Sequence, residues 1–152
     1  MDPAVLSVRE EDPAYLDRAV GYFSEKWGID RRVYEDSISF SLDTSSPLPR
    51  WYLLMERDTI IGSYSLIAND FISRQDLWPW LCALYVEESE RGKDYGGLLL
   101  AHGRREAKKL GFGKVYLSTD HTSYYERYGW KFIGMGYGPF CESHIYESGS
   151  IE

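Results

Sequence analysis

Leu16, Val20, Phe23 and Trp27 recur every three or four positions, a spacing that predicts an amphipathic helix. Asp12 and Pro13 supply a cap and a first-turn proline at its start, and Gly28 closes it. Ahead of it, "VLSVRE" (5–10) predicts a short strand. Tyr34, Ile38 and Leu42 mark a second, weaker helix within "DRRVYEDSISFSL" (30–42), followed by the loop "TSSPLP" (44–49). "RWYLLME" and "TIIGSYSLIA" predict two strands joined at Arg57-Asp58-Thr59, hence an antiparallel hairpin.

"PWLCALYVEE" (79–88) is apolar with few polar breaks, which predicts a central strand buried on both faces. Leu99, Leu100, Gly103, Ala107 and Leu110 then share one face of a helix, with Arg104, Arg105, Lys108 and Lys109 on the others. Gly111 is placed to end it. "GKVYLST" predicts a strand, "SYYERYG" a short helix ending at Gly129, and "WKFIGMG" and "SHIYES" two late strands. The order β-α-α-β-β-β-α-β-α-β-β describes one mixed α/β domain over residues 1–152.

Composition narrows the function. An apolar fraction of 43% argues for a folded core rather than a disordered chain. Seventeen Lys and Arg against 24 Asp and Glu leave a net charge of −7, so non-specific nucleic-acid binding, which needs a basic face, is not expected. No apolar run approaches the length of a membrane span, and the N-terminus has no secretory pattern. Cys82 and Cys141 form no metal-ligand spacing and make a weak case for a disulfide. No metal is expected, and a cytoplasmic location is.

One stretch stands out: "RGKDYGG" (91–97), between the apolar strand and the leucine-rich helix. Backbone amides at a helix start, with the dipole behind them, form an anion site, and glycine lets the chain wrap closely. Arg91 and Lys93 add positive charge. The spacing is neither a P-loop nor a dinucleotide fingerprint. An anion-binding loop and an ordinary glycine-rich turn both fit the loop alone.

Arg91-Gly92-Lys93-Asp94-Tyr95-Gly96 resembles the signature of the GNAT superfamily of acetyl-CoA-dependent N-acetyltransferases: Arg or Gln, two residues, Gly, one residue, then Gly or Ala. "LCALYVEESE" is similar to that family's fourth strand, and "YYERYGWKF" to its later aromatic-tyrosine segment. The resemblance is clear over residues 80–135. It implies a single GNAT-like α/β domain, with a mixed, mostly antiparallel central sheet and about four helices. Asp94 departs from the family's glycine. Asp tolerates left-handed backbone geometry, and its carboxylate is expected to face solvent or to pair with Arg91 or Lys93.

The resemblance further implies acetyl-CoA as co-substrate. It would be held by the backbone of Leu84, Tyr85 and Val86 and by the loop of Arg91, Gly92, Lys93, Asp94, Tyr95, Gly96 and Gly97. The acceptor would be a primary amine of a small molecule or peptide, attacking directly in a ternary complex. Tyr125 matches the tyrosine that protonates the departing thiolate; a phenol near its ordinary pKa is protonated at neutral pH. The family's asparagine falls on Ser118, with Asp120 and His121 nearby. No acidic residue in the fourth strand marks a general base. His121, or Asp70 or Asp76 in the preceding loop, are candidates beside water. Trp27, Trp51, Trp78 and Trp80 are candidate pocket walls, although tryptophans more often fill core. His102 and His144 have no catalytic pattern. A non-catalytic acyl-CoA-binding or regulatory module is the alternative, and a homodimer through the late strands is compatible with either.

Overall fold

A computed structural model describes residues 2–11, 14–139 and 141–149. The capping roles expected of Asp12 and Pro13 lie outside the described residues. The elements are β1 (Ala4–Ser7), α1 (Ala14–Trp27), α2 (Arg31–Ser41), β2 (Arg50–Glu56), β3 (Thr59–Ile67), β4 (Trp80–Val86), α3 (Tyr95–Lys109), β5 (Tyr116–Thr119), β6 (Lys131–Tyr137) and β7 (Glu142–Glu147). Single 3-10 turns lie at Val8–Glu10, Glu88–Glu90 and Tyr125–Tyr128. The described strands form one sheet in the order β1-β2-β3-β4-β5-β7-β6. It is mostly antiparallel: β4 and β5 are a parallel pair, with Trp80 opposite Tyr116.

The chain divides into two compact units, Met1–Ser65 with Ala83–Leu99, and Leu66–Cys82 with Leu100–Glu152. In the first, β1 runs antiparallel to β2 from Ala4↔Met55 to Ser7↔Tyr52. Phe23 of α1 is fully buried, stacks on Tyr34 of α2 at 5.7 Å and meets the Trp51 ring edge-on at 5.0 Å. Truncating such a side chain to alanine costs about 3–5 kcal/mol. Asp30 caps α2 by accepting the Arg32 amide at 2.8 Å.

In the second unit, β7 lies between β5 and β6 and is antiparallel to both, pairing Leu117↔Tyr146 and Met135↔His144. Trp80, Ile72 and Ile145 form a core against which Cys82, Leu77 and Ile133 pack. Helix α3 ends as its sequence predicts. The Gly111 amide donates to the Lys108 carbonyl at 3.0 Å, and the Phe112 amide reaches back to Ala107 at 2.9 Å.

Four expectations change. The first strand stops at Ser7, where the chain tightens into a 3-10 turn, leaving Val8 buried. The helix predicted for "SYYERYG" is one 3-10 turn, because Gly129 at φ 86° stops it. Hence the described residues hold three α-helices rather than about four. The central strand is not buried on both faces: Trp80 and Leu81 are buried, whereas Cys82 to Val86 are half-buried. Ala83 adopts φ +54°, which interrupts the alternation of side chains at that point.

Candidate active site

In the first unit, the second half of β4 leads into the glycine loop. A left-handed alanine costs about 1–2 kcal/mol, so its surroundings must hold it. The buried Ser63 hydroxyl donates to the Ala83 carbonyl at 3.0 Å, and the Glu87 amide donates to the Ile61 carbonyl at 2.8 Å. Gly62 allows the close approach: a Cβ there would lie 2.8 Å from the Tyr85 carbonyl oxygen. Leu84, Tyr85 and Val86 therefore lie on a strand segment bent at Ala83 and anchored to β3.

The loop itself contains Gly92 at φ +87° and Asp94 at φ +62°. Asp94 thus occupies a backbone geometry that glycine takes freely and aspartate tolerates. Its carbonyl accepts the Leu98 amide at 3.1 Å. The amides of Tyr95, Gly96 and Gly97 precede that first helical bond, at the positive end of a 15-residue helix.

The loop's cations are less available than their sequence suggests. The Lys93 ammonium pairs with Glu90 at 2.9 Å, and this contact raises its pKa. The Arg91 Nε donates to the Val86 carbonyl at 3.0 Å, and its guanidinium lies 5.4 Å over the Tyr85 ring. Backbone amides therefore carry more of the loop's attraction for an anion than the charge count implies.

Sequence reasoning missed a cluster beside it. Tyr22 and Lys26, one turn apart on α1, both bond Glu87 just beyond β4, with Lys26 at 3.0 Å. The Lys26 ammonium also lies 5.2 Å from the centre of the Tyr22 ring and 5.1 Å from that of Tyr85. Burial raises the Glu87 pKa, but the Tyr22 hydrogen bond and Lys26 outweigh it and leave the carboxyl below its ordinary value. Burial first, then the Glu87 bond, pushes the Tyr22 phenol up. The i,i+4 spacing of Tyr22 and Lys26 was the one visible signal.

In the second unit, Tyr125 opens the 3-10 turn and is buried. Its ring meets Tyr124 edge-on at 4.9 Å and Tyr146 at 5.5 Å, and its hydroxyl is hydrogen-bonded with Thr119 of β5. Burial raises its pKa against the Thr119 bond, so the phenol is protonated at neutral pH. Of its neighbours, Tyr124 and Tyr128 are half-buried and contact each other at 5.5 Å.

The remaining candidates separate clearly. His121 and Asp120 are exposed and 4.0 Å apart, and the His121 amide donates to the Thr119 hydroxyl at 3.0 Å. Asp76 forms two 3.0 Å bonds with Arg74, which holds its pKa below the usual range. Asp70 is the opposite case: desolvation raises its pKa, while hydrogen bonds with Cys82 and Ser118 oppose the rise. His102 on α3 is lowered by burial. Among the described residues, no group of His, Cys, Asp and Glu is arranged to hold a metal. Trp51 and Trp80 are core residues, whereas Trp27 and Trp78 are partly exposed. No described helix is long and apolar enough to cross a membrane.

The chain matches the model of the acetyltransferase (GNAT) family over residues 13–130, and it belongs to that family. No curated protein is a significant sequence match. Several solved structures share the fold. A histone acetyltransferase HPA2 and related acetyltransferase from Corynebacterium glutamicum is 17% identical, with a TM-score of 0.70 over 100% of this chain and 98% of that one. An aminoglycoside 6'-N-acetyltransferase complexed with coenzyme A is 17% identical, with a TM-score of 0.68 over 98% and 97%. A GNAT family acetyltransferase from Elizabethkingia anophelis with acetyl-CoA bound is 16% identical, with a TM-score of 0.61 over 96% and 97%.

Proposed function

We propose that the protein transfers the acetyl group of acetyl-CoA to a primary amine of a small molecule or peptide, by direct attack in a ternary complex. The observation that carries this is the Arg91–Gly97 loop, with Gly92 and Asp94 in left-handed geometry and the first amides of α3 behind them. Those amides and the helix dipole suit a pyrophosphate. Acetyl-CoA supplies an activated thioester. Backbone groups of Leu84, Tyr85 and Val86 hold its arm in strand fashion, and an amide there stabilises negative charge developing on the carbonyl oxygen. The Tyr125 phenol delivers a proton to the departing sulfur.

The whole chain, residues 1–152, works as one domain on this view, since the family match runs through segments of both units. A cytoplasmic location accords with two reduced cysteines, Cys82 and Cys141.

A set of primary amines offered with acetyl-CoA and read by thiol release tests the proposal. At least one amine should accelerate release well above the rate with acetyl-CoA alone. Cofactor binding without any amine-dependent release would leave a non-catalytic acyl-CoA-binding module.

A further inference from the structure

Two side chains of α1 converge on one carboxylate, that of Glu87, the residue after β4 in the first unit. The Tyr22 hydroxyl donates to Glu87 Oε2, and the Lys26 ammonium reaches Oε2 at 3.0 Å and Oε1 at 3.2 Å. Glu87 is itself fixed to the sheet, since its amide donates to the Ile61 carbonyl at 2.8 Å. The ion pair is part-buried, with side-chain exposures of 18% for Lys26 and 28% for Glu87, so water and salt screen it less than an open surface pair.

This clamp closes on Tyr85. The Tyr85 ring meets Tyr22 edge-on at 6.5 Å and Trp27 at 6.0 Å, and the Lys26 ammonium lies 5.1 Å from its centre. The Arg91 guanidinium lies 5.4 Å from the same centre, while Arg91 Nε donates to the Val86 carbonyl at 3.0 Å. Ring and carbonyl together orient the guanidinium, whose remaining donors sit on its terminal nitrogens. We propose, on the acetyl-CoA-binding part of the reading above, that Glu87 is a positioning residue: by drawing Tyr22 and Lys26 onto the end of β4, it holds the Tyr85 ring against Arg91 and so aims that guanidinium at the pyrophosphate of acetyl-CoA.

Charge alone argues the other way, which makes the role testable. A carboxylate beside a phosphate-binding loop repels the ligand, so an effect of Glu87 through its field predicts tighter binding once it is neutralised. Positioning predicts weaker binding. Arg91 is exposed, and a long side chain that must be ordered as the ligand arrives lowers affinity. Holding it beforehand removes that cost.

The test is Kd for CoA by titration calorimetry, with KM for acetyl-CoA and kcat measured on the most active amine of the set above. The proteins are wild type, Tyr22→Phe, Glu87→Ala, Arg91→Ala, the double variant of the last two, and Arg18→Ala. Tyr22→Phe changes no charge and keeps the ring, yet it should weaken CoA binding about threefold, and Glu87→Ala should weaken it about tenfold. KM should follow Kd, and kcat at saturation should stay within about twofold of wild type. The double variant should bind no more weakly than Arg91→Ala, because Glu87 acts through that arginine. Arg18→Ala removes another α1 ion pair, with Asp58 at 2.9 Å, and should match wild type.

Unchanged or tighter CoA binding by Glu87→Ala overturns the proposal, as does a wild-type Kd in Tyr22→Phe. Additive losses in the double variant overturn it too, since a general loosening of the fold would not depend on Arg91. Circular dichroism and Tm establish that each variant is folded; should Glu87→Ala fail to fold, Tyr22→Phe decides. Wild type that does not bind CoA sinks both this proposal and the N-acetyltransferase reading. CoA binding with no amine-dependent thiol release ends that reading alone and leaves the clamp to be decided by Kd.

Discussion

The Asp94 carbonyl accepts the Leu98 amide at 3.1 Å, so the first bond of α3 springs from a non-glycine residue at φ +62°. Aspartate here serves the loop's backbone while adding a negative charge beside the amides proposed to receive a pyrophosphate. Lys93, next to it in sequence, pairs with Glu90 at 2.9 Å.

Asp94→Gly should therefore tighten acetyl-CoA binding. Removing one like charge near the phosphates is worth on the order of 1 kcal/mol after solvent screening, roughly fivefold in Kd. Stability should change little, because relief of left-handed strain offsets glycine's extra freedom in the unfolded chain. Titration calorimetry of both proteins with CoA decides it. Weaker binding by the variant would mean that the carboxylate helps to organise the loop.

Acetyl-CoA or CoA should raise Tm, since a ligand at about 100 times its Kd adds about 2.7 kcal/mol. ATP and NAD at equal concentration should do much less, because they lack the arm that the segment bent at Ala83 is proposed to hold. Equal shifts from all of them would reduce the loop to a generic phosphate site.

Tyr125→Phe keeps the ring contacts with Tyr124 and Tyr146 and removes one hydroxyl. If that phenol protonates the leaving thiolate, kcat should fall about 100-fold with acetyl-CoA affinity unchanged, because the bond matters only in the transition state. Steady-state kinetics beside Tyr124→Phe and Tyr128→Phe supply the comparison. Loss of kcat in either of those, with Tyr125→Phe near wild type, would assign the role to the wrong tyrosine.

Asp70 should impose a pH dependence on stability opposite to that of a salt-bridged carboxylate. Its folded pKa is raised above the unfolded value, so the folded state binds the proton more tightly. The stability from this group is fully present below the unfolded pKa, about 3.9, and is lost as pH rises through the folded pKa. Asp70→Asn has no such loss. Its Tm should equal or exceed that of wild type at neutral pH, and the difference should shrink on acidification. A variant less stable than wild type at neutral pH would show that the carboxylate stabilises the fold.

Local pattern made much of this protein legible. Helical spacing placed α1, α2 and α3, because one apolar face per helix is enough to define the period. The loop of residues 91–97 was visible because glycines, cations and a strand-to-helix junction are all local. Asp94 was picked out by the family resemblance as standing where glycine is usual, and it does take left-handed geometry at φ +62°. Tyr125 was picked out by the same resemblance, and its role remains a proposal.

Tertiary structure decided the rest. An apolar run in β4 predicted burial on both faces, but hydrophobicity reveals neither the left-handed geometry at Ala83 nor the half-burial of Cys82 to Val86. The Lys93 ammonium pairs with Glu90 on the preceding turn, a contact that the charge pattern of the loop did not reveal. Asp70 and Asp76 were equal candidates in one polar loop. Only the meeting of that loop with β4 and β5 separates them, because the Cys82 and Ser118 contacts depend on chain segments remote in sequence. A carboxylate's proton affinity is set by what desolvates and bonds it, and in a sheet those neighbours come from strand order rather than from position along the chain.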